Sequence, residues 1–351
     1  MMARFALKER AINRADWFII ACMGMVSCQF ALLAISHGTD LLPLWLKLYA
    51  GGSGFILLQA LLFSYIGYLV GAARVFILSG YLPFVLHFSN LLINASLNPG
   101  KYSFVYGFTV FTIDASWQLW LGSLTLVLAV ALPIVSLYMI ASYRKRLKAN
   151  FSEISELDLD WLRKLLIGSL IVLMSGVILV APVIKSFQLG EHVLFSILLV
   201  FISVYNLYLG FYSFKQRLVP AVVATEKGTK EQSFLSASEL VLAKAELTKH
   251  MTEHKPFTHR RLTLDELAQQ LYWPSFKLTE VINQGFDKNF YEFVNFYRVE
   301  QVKEILQQNT CARINLLDTA LAAGFNSKTA FNTVFKRFEG VTPSEFRKAK
   351  R

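Results

Sequence analysis

Six apolar runs of about twenty residues dominate the first 214 positions: Trp17–Ser36, Ser53–Ala73, Val75–Leu97, Trp117–Ile140, Leu165–Ile184 and Val193–Phe214. At about 1.5 Å per residue, a helix of that length crosses a bilayer core. Hydrophobic residues make up 54% of the chain and charged ones only 17%, against nearer a quarter in soluble domains. The apolar content falls away after residue 215, where charge takes over, so the chain divides in two. Leu41–Ala50 and Ser103–Ile113 are too short to span and belong at the interface, although counting them raises the total to seven or eight. The first run is longer than the apolar core of a signal peptide and reads as an uncleaved span.

The basic residues orient the chain. With the N-terminus inside, six spans place Arg4, Lys8, Arg10, Arg14, Arg74, Arg144, Lys145, Arg146, Lys148, Arg163, Lys164, Lys215 and Arg217 on the cytoplasmic side. Only Lys47, Lys101 and Lys185 fall outside. Both termini are therefore expected in the cytoplasm, with the protein in the inner membrane. The net charge of +11 suits nucleic acid or anionic lipid. Residues 141–164, basic and then acidic, read as a juxtamembrane anchor on lipid, with docking onto the C-terminal domain as the alternative.

The expected domains are a cytoplasmic tail (1–16), a transmembrane sensor (17–214), a linker (215–235) and a soluble helical domain (236–351). In the last, Ser236 with Glu239 and Thr263 with Glu266 have capping-box spacing, and Pro274 stands at a helix start. A long helix, about 289–308, leads into INLLDTALAAGFNSKTAFNTVFKRFEGVTPSEFR, which reads as helix, turn, helix, glycine stop and proline restart. The fold class is all-α: a helical transmembrane bundle, then two helix-turn-helix units joined by one long helix.

Residues 236–351 resemble the DNA-binding domain of the AraC/XylS family of bacterial transcription regulators. The resemblance rests on Ala320, Gly324, Phe325, Phe331, Phe335, Lys336, Gly340, Pro343 and Arg347, and on Leu264, Leu267, Ala268, Leu278 and Asn283 followed by NFYEFVNFYRVEQVKEIL. It implies that both units of one monomer enter successive major grooves and read an asymmetric site of about two helical turns. Most of the matching positions are core or punctuation, so base reading falls to the opposite faces. These carry Ser275, Phe276, Lys277, Thr279, Glu280 and Asn283 in the first unit, and Lys328, Thr329, Asn332, Thr333 and Lys336 in the second. Asn suits adenine, Lys guanine and Glu280 cytosine, or else Glu280 pairs with Lys277. Arg298, with Asn295, is placed either to clamp phosphate or to brace the two units.

The membrane half is similar in pattern to multi-span proteins fused to AraC-type domains. His87, Asn90 and Asn94 share one face of the third span, as glue between helices or as a signal-sensing site. Gly67 and Gly71 have the spacing of close helix packing, within the chain or, as the alternative, between two copies. No HExxH, GxSxG, P-loop or receiver pattern is present, and Asp114 reads as interfacial, so no enzyme is expected. Cys22, Cys28 and Cys311 fit no disulfide or metal framework, and neither metal nor cofactor is expected. The expected function is that of a membrane-embedded one-component transcription regulator. Its expected partners are double-stranded DNA, the lipid bilayer and an unknown signal ligand or membrane protein, with RNA polymerase and a second copy as further candidates. The rival is a transport or scaffold protein whose helix-turn-helix domain binds a protein.

Overall fold

The computed structural model describes residues 14–36, 54–97, 102–105, 108–111, 116–155, 157–171, 235–308 and 315–349, with isolated positions 46, 204, 208, 211 and 212. Most of the fifth and sixth expected spans, the linker before Leu235, Cys311 and the last two basic residues lie outside them. The chain divides into two compact units. One comprises Met1–Ser142 with Leu159–Val219, and the other Tyr143–Asp158 with Pro220–Arg351.

In the first unit, α1 (Arg14–Ser36) packs on α2 (Gly54–Val70). Gly67 gives α2 its close neighbour, since a Cβ there would come within 2.7 Å of Ile77 Cγ1. That makes the glycine a site of packing within the chain. Two further helices follow, α3 (Arg74–Ser79) and α4 (Leu82–Leu97), interrupted at Gly80 and Tyr81. Among the described residues, Arg74–Ile93 is the helical stretch long and apolar enough to cross a membrane.

Next comes a short antiparallel hairpin, β1 (Tyr102–Val105) and β2 (Phe108–Phe111), pairing Tyr102 with Phe111 and Val105 with Phe108. It is a small addition to an otherwise helical fold: Tyr, Phe, Val and Thr, which dominate YSFV and FTVF, fit a pleated strand better than a helix. The last helix here, α5 (Ser116–Asn150), contains Pro133 and runs ten residues past the expected span end at Ile140. Its final residues, from Tyr143, belong to the second unit.

The second unit is built of short, well-capped helices. α6 (Ala237–His254) opens with the capping box of Ser236 and Glu239. α7 (Leu264–Gln270) opens with that of Thr263 and Glu266, and α8 (Ser275–Glu280) widens into a single π turn, Val281–Gly285. α9 (Phe290–Gln308) links these to α10 (Leu316–Ala322), α11 (Lys328–Glu339) and α12 (Pro343–Ala349).

α9 serves two cores in turn. Its first half puts Phe290, Phe293 and Val294 among Leu247, Met251, Leu267 and Leu278, while its second half puts Val299, Val302 and Leu306 among Ala320, Phe325, Phe331 and Phe335. Each such fully buried side chain contributes roughly 1.5–3 kcal/mol. Between the two sets lie Asn295 and Arg298, both buried.

Candidate nucleic-acid interface

In α11 the sequence sorts cleanly into two faces. Phe331, Val334 and Phe335 are buried, whereas Lys328, Thr329, Asn332, Thr333 and Lys336 are all exposed. Ser327 caps the helix start by accepting from the Ala330 N–H at 3.1 Å. Gly340 ends it at φ 75°, donating its N–H to the Lys336 carbonyl. The side of the helix is tied to α9 by two ion pairs, Arg337 with Glu292 and Glu339 with Lys303, the latter at 3.0 Å. Sequence reasoning missed both pairs, because they join positions more than thirty residues apart. The result is a helix held on its back and flank with amide, hydroxyl and ammonium groups facing out. Those are the groups that hydrogen-bond base edges and phosphates.

The turn before α11 is equally specific. Gly324 sits at φ 98°, and a Cβ on it would fall 2.3 Å from the Phe257 carbonyl oxygen and 3.0 Å from Arg298 Nε. Only glycine fits there without displacing backbone.

The first helix-turn-helix offers a smaller face. Phe276 and Asn283 are exposed, and the Lys277 ammonium lies 4.3 Å from the Trp273 ring centre. Ser275 Oγ donates to Asp265, and Thr279 Oγ1 to the Ser275 carbonyl at 2.9 Å, so both hydroxyls are already engaged. Pro274 caps α8 from just outside rather than occupying its first turn. Tyr272 takes φ 57° at the inter-helix turn and is 96% exposed.

Two expected DNA contacts are corrected. Glu280 is buried and accepts from the Leu235 N–H at 3.2 Å, which turns it toward the start of α6 and away from a groove. Arg298 is 0% exposed. Its Nε donates to the Phe257 carbonyl at 2.8 Å, and one terminal nitrogen donates to the His259 carbonyl at 2.9 Å. The guanidinium also lies 5.9 Å from the Phe325 ring centre. Burial pushes Arg298 down to about 10, opposed by Glu153 and Tyr291, so it keeps its charge at neutral pH. It braces the two units and cannot reach a phosphate.

The brace has a third member that the sequence did not single out by residue. Ser152, 1% exposed, lies in the segment after α5. Its Oγ donates to the Leu262 carbonyl at 2.7 Å, and its own carbonyl accepts from Asn295 Nδ2 at 3.1 Å and from Arg298 at 3.3 Å. Phe151 forms an isolated antiparallel bridge with Thr263. Of the two readings of this segment, docking is the one the structure displays.

On the sensing candidates, α4 places Asn90 in a buried position and His87 in a half-buried one, while the side chain of Asn94 lies outside the described residues. No group of three or more potential metal ligands occurs among the described residues.

A helix capped at both ends, buried along one side and polar along the other, preceded by a shorter helix and a glycine turn, defines a helix-turn-helix. Residues 267–349 match the family model described as a helix-turn-helix domain. An uncharacterised HTH-type transcriptional regulator of Staphylococcus aureus (strain COL) is 32% identical over 89 residues, 25% of this chain and 12% of its own length. YtdP, an uncharacterised HTH-type transcriptional regulator of Bacillus subtilis (strain 168), is 29% identical over 102 residues, 29% of this chain and 13% of its own. The chain thus spans about an eighth of the curated relatives it matches. A solved structure from Listeria innocua, of a protein with unknown function, is 26% identical at a TM-score of 0.27, covering 30% of this chain and 96% of its own.

Proposed function

We propose that this protein is a membrane-embedded one-component transcription regulator of AraC type. It reads DNA with α11 as the main recognition helix and α8 as a second. The observation that carries this is the two-faced α11, with five exposed polar side chains over a buried phenylalanine back, in the part of the chain that matches the helix-turn-helix family. Lys328, Thr329, Asn332, Thr333 and Lys336 form the principal reading face, joined by Phe276, Lys277 and Asn283.

The first unit holds the protein in the inner membrane, with both termini cytoplasmic, so that the reading helices meet DNA at the inner surface. A signal acts on the packing of the apolar helices, with His87, Asn90 and Asn94 as its site. RNA polymerase and a second copy of the chain are the further partners. The apolar stretch Arg74–Ile93 and the inward bias of basic residues support this placement.

The test uses the full chain in lipid nanodiscs with a library of random double-stranded DNA. Enrichment of one bipartite motif supports the proposal. Retention of DNA without any motif returns the domain to a protein-binding role in a transporter or scaffold, and a reporter fusion placing the C-terminus outside the cytoplasm removes the proposal altogether.

A further inference from the structure

We infer that residues 143–158 are a splint for the DNA-reading unit, and that Ser152, seated on Arg298, is a positioning residue that sets the spacing between α8 and α11. The inference rests on the reading that these helices enter DNA.

Four observations lead there. First, the segment folds with the helix-turn-helix unit, although it is joined at both ends to the other one. Arg144 and Asp158, 2.9 Å apart, close it into a loop.

Second, the polar atoms of Ser152 are engaged with the helix-turn-helix unit. Its N–H donates to the Leu262 carbonyl at 3.1 Å and its Oγ donates to the same oxygen. The Oγ also accepts from an Arg298 terminal nitrogen at 3.2 Å, and the carbonyl accepts from both Arg298 and Asn295. Surface loops that merely lie against a domain do not place a serine at 1% exposure with this many partners.

Third, those partners sit at the joint between the units. Leu262 and Thr263 lead into α7, where the first helix-turn-helix begins. Asn295 and Arg298 lie where α9 passes from one core to the other. Arg298 also donates to the Phe257 carbonyl against which Gly324, in the turn of the second unit, is pressed. One serine therefore holds the point about which the two reading helices would otherwise pivot.

Fourth, Ser152 is two residues beyond the end of α5, a 35-residue helix. A connection of two residues gives Ser152 little freedom to move independently of the end of α5. Withdrawing it would leave buried amide and guanidinium donors short of acceptors, an expensive state that favours an all-or-none change.

The experiment uses the full chain in nanodiscs with Cys22, Cys28 and Cys311 replaced by serine. Its bipartite DNA site is selected from a random library and then re-synthesised with the half-sites moved apart by one and two base pairs. The unaltered splint is expected to lose at least tenfold in affinity per added base pair. Ser152→Ala is expected to bind the original spacing about tenfold more weakly and to lose its preference among spacings, while binding an isolated half-site as before. Phe151→Cys with Thr263→Cys, placed in the Ser152→Ala background, should restore the spacing preference on oxidation and lose it on reduction.

A Ser152→Ala protein with an unchanged spacing profile overturns the inference. So does one weakened equally on bipartite and single half-sites, which marks a purely structural serine. If the unsubstituted chain enriches no motif, the DNA reading fails and the splint with it. A disulfide that still forms between positions 151 and 263 would identify that failure as one of DNA reading, with the docked segment intact.

Discussion

Arg298 and Gly324 converge on a single carbonyl: the oxygen of Phe257 accepts from Arg298 Nε at 2.8 Å and lies 2.3 Å from where a Gly324 Cβ would stand. The glycine is fixed by a left-handed backbone and by contact with the main chain at Phe257 at once. Gly324→Ala is expected to destabilise the second unit by about 3 kcal/mol, through both strain and overpacking. Faster hydrogen exchange across residues 316–339 of the full chain would register the loss, and unchanged protection would refute it.

Arg298 separates a brace from a phosphate clamp. Arg298→Met takes the Arg298 donor from the Phe257 carbonyl and reduces the His259 carbonyl to the Leu262 N–H at 3.3 Å, and should cost about 3 kcal/mol of stability. Arg298→Lys should recover only part of it, because one ammonium cannot serve acceptors spread around a planar fork. The dependence of DNA affinity on salt should stay unchanged in Arg298→Met, which removes the charge. A slope reduced by about one would mean a lost phosphate contact.

The exposed face of α11 makes the opposite prediction. Replacing Lys328, Asn332 and Lys336 together by alanine should abolish sequence preference without altering unfolding, since all three are exposed. Individually, a lysine bound to phosphate should lower the salt slope by about one. A lysine or asparagine bound to a base should relax one position of the motif by roughly 1–3 kcal/mol. Selection on the variants distinguishes them, and motif retention by the triple variant would exclude this face.

The last helix carries a pH prediction. The Glu345 carboxylate accepts from the Thr342 N–H at 2.7 Å and from the Thr342 hydroxyl, and those backbone and side-chain bonds hold it below the usual glutamate range. A depressed folded-state value means the cap's contribution is complete above the ordinary glutamate pKa and disappears as pH falls through the lower one. α12 should therefore fray under acid below the ordinary carboxylate range. Glu345→Gln keeps an acceptor oxygen but removes the titration, so hydrogen exchange over 342–349 should lose its acid dependence in that variant.

The parts of this architecture that could be read from sequence are those written in short-range spacing. Ser236 with Glu239 and Thr263 with Glu266 form the capping boxes their three-residue separation predicts. Phe325, Phe331 and Phe335 are buried and Lys328 to Lys336 alternate outward as a helical period requires. Burial across long separations was not readable in the same way. Arg298 looks like any helix-borne arginine until Phe257, His259 and Ser152 close around it, and Glu280 is removed from the reading face by one backbone N–H at Leu235. Ser152 sits in FSEISELDLD, which has no sharp periodicity to mark it as interior.

The seat of Ser152 also dictates an order of assembly. Its partner Arg298 is 146 residues further along, so the segment leaves the ribosome long before the groove that receives it exists. Throughout that interval the loop must stay unpaired and soluble, which its serines, glutamates and aspartates permit. Closure of so large a loop comes late and slowly. The helix-turn-helix unit therefore reaches its braced form only after synthesis has passed α9 and both ends of this contact have been made.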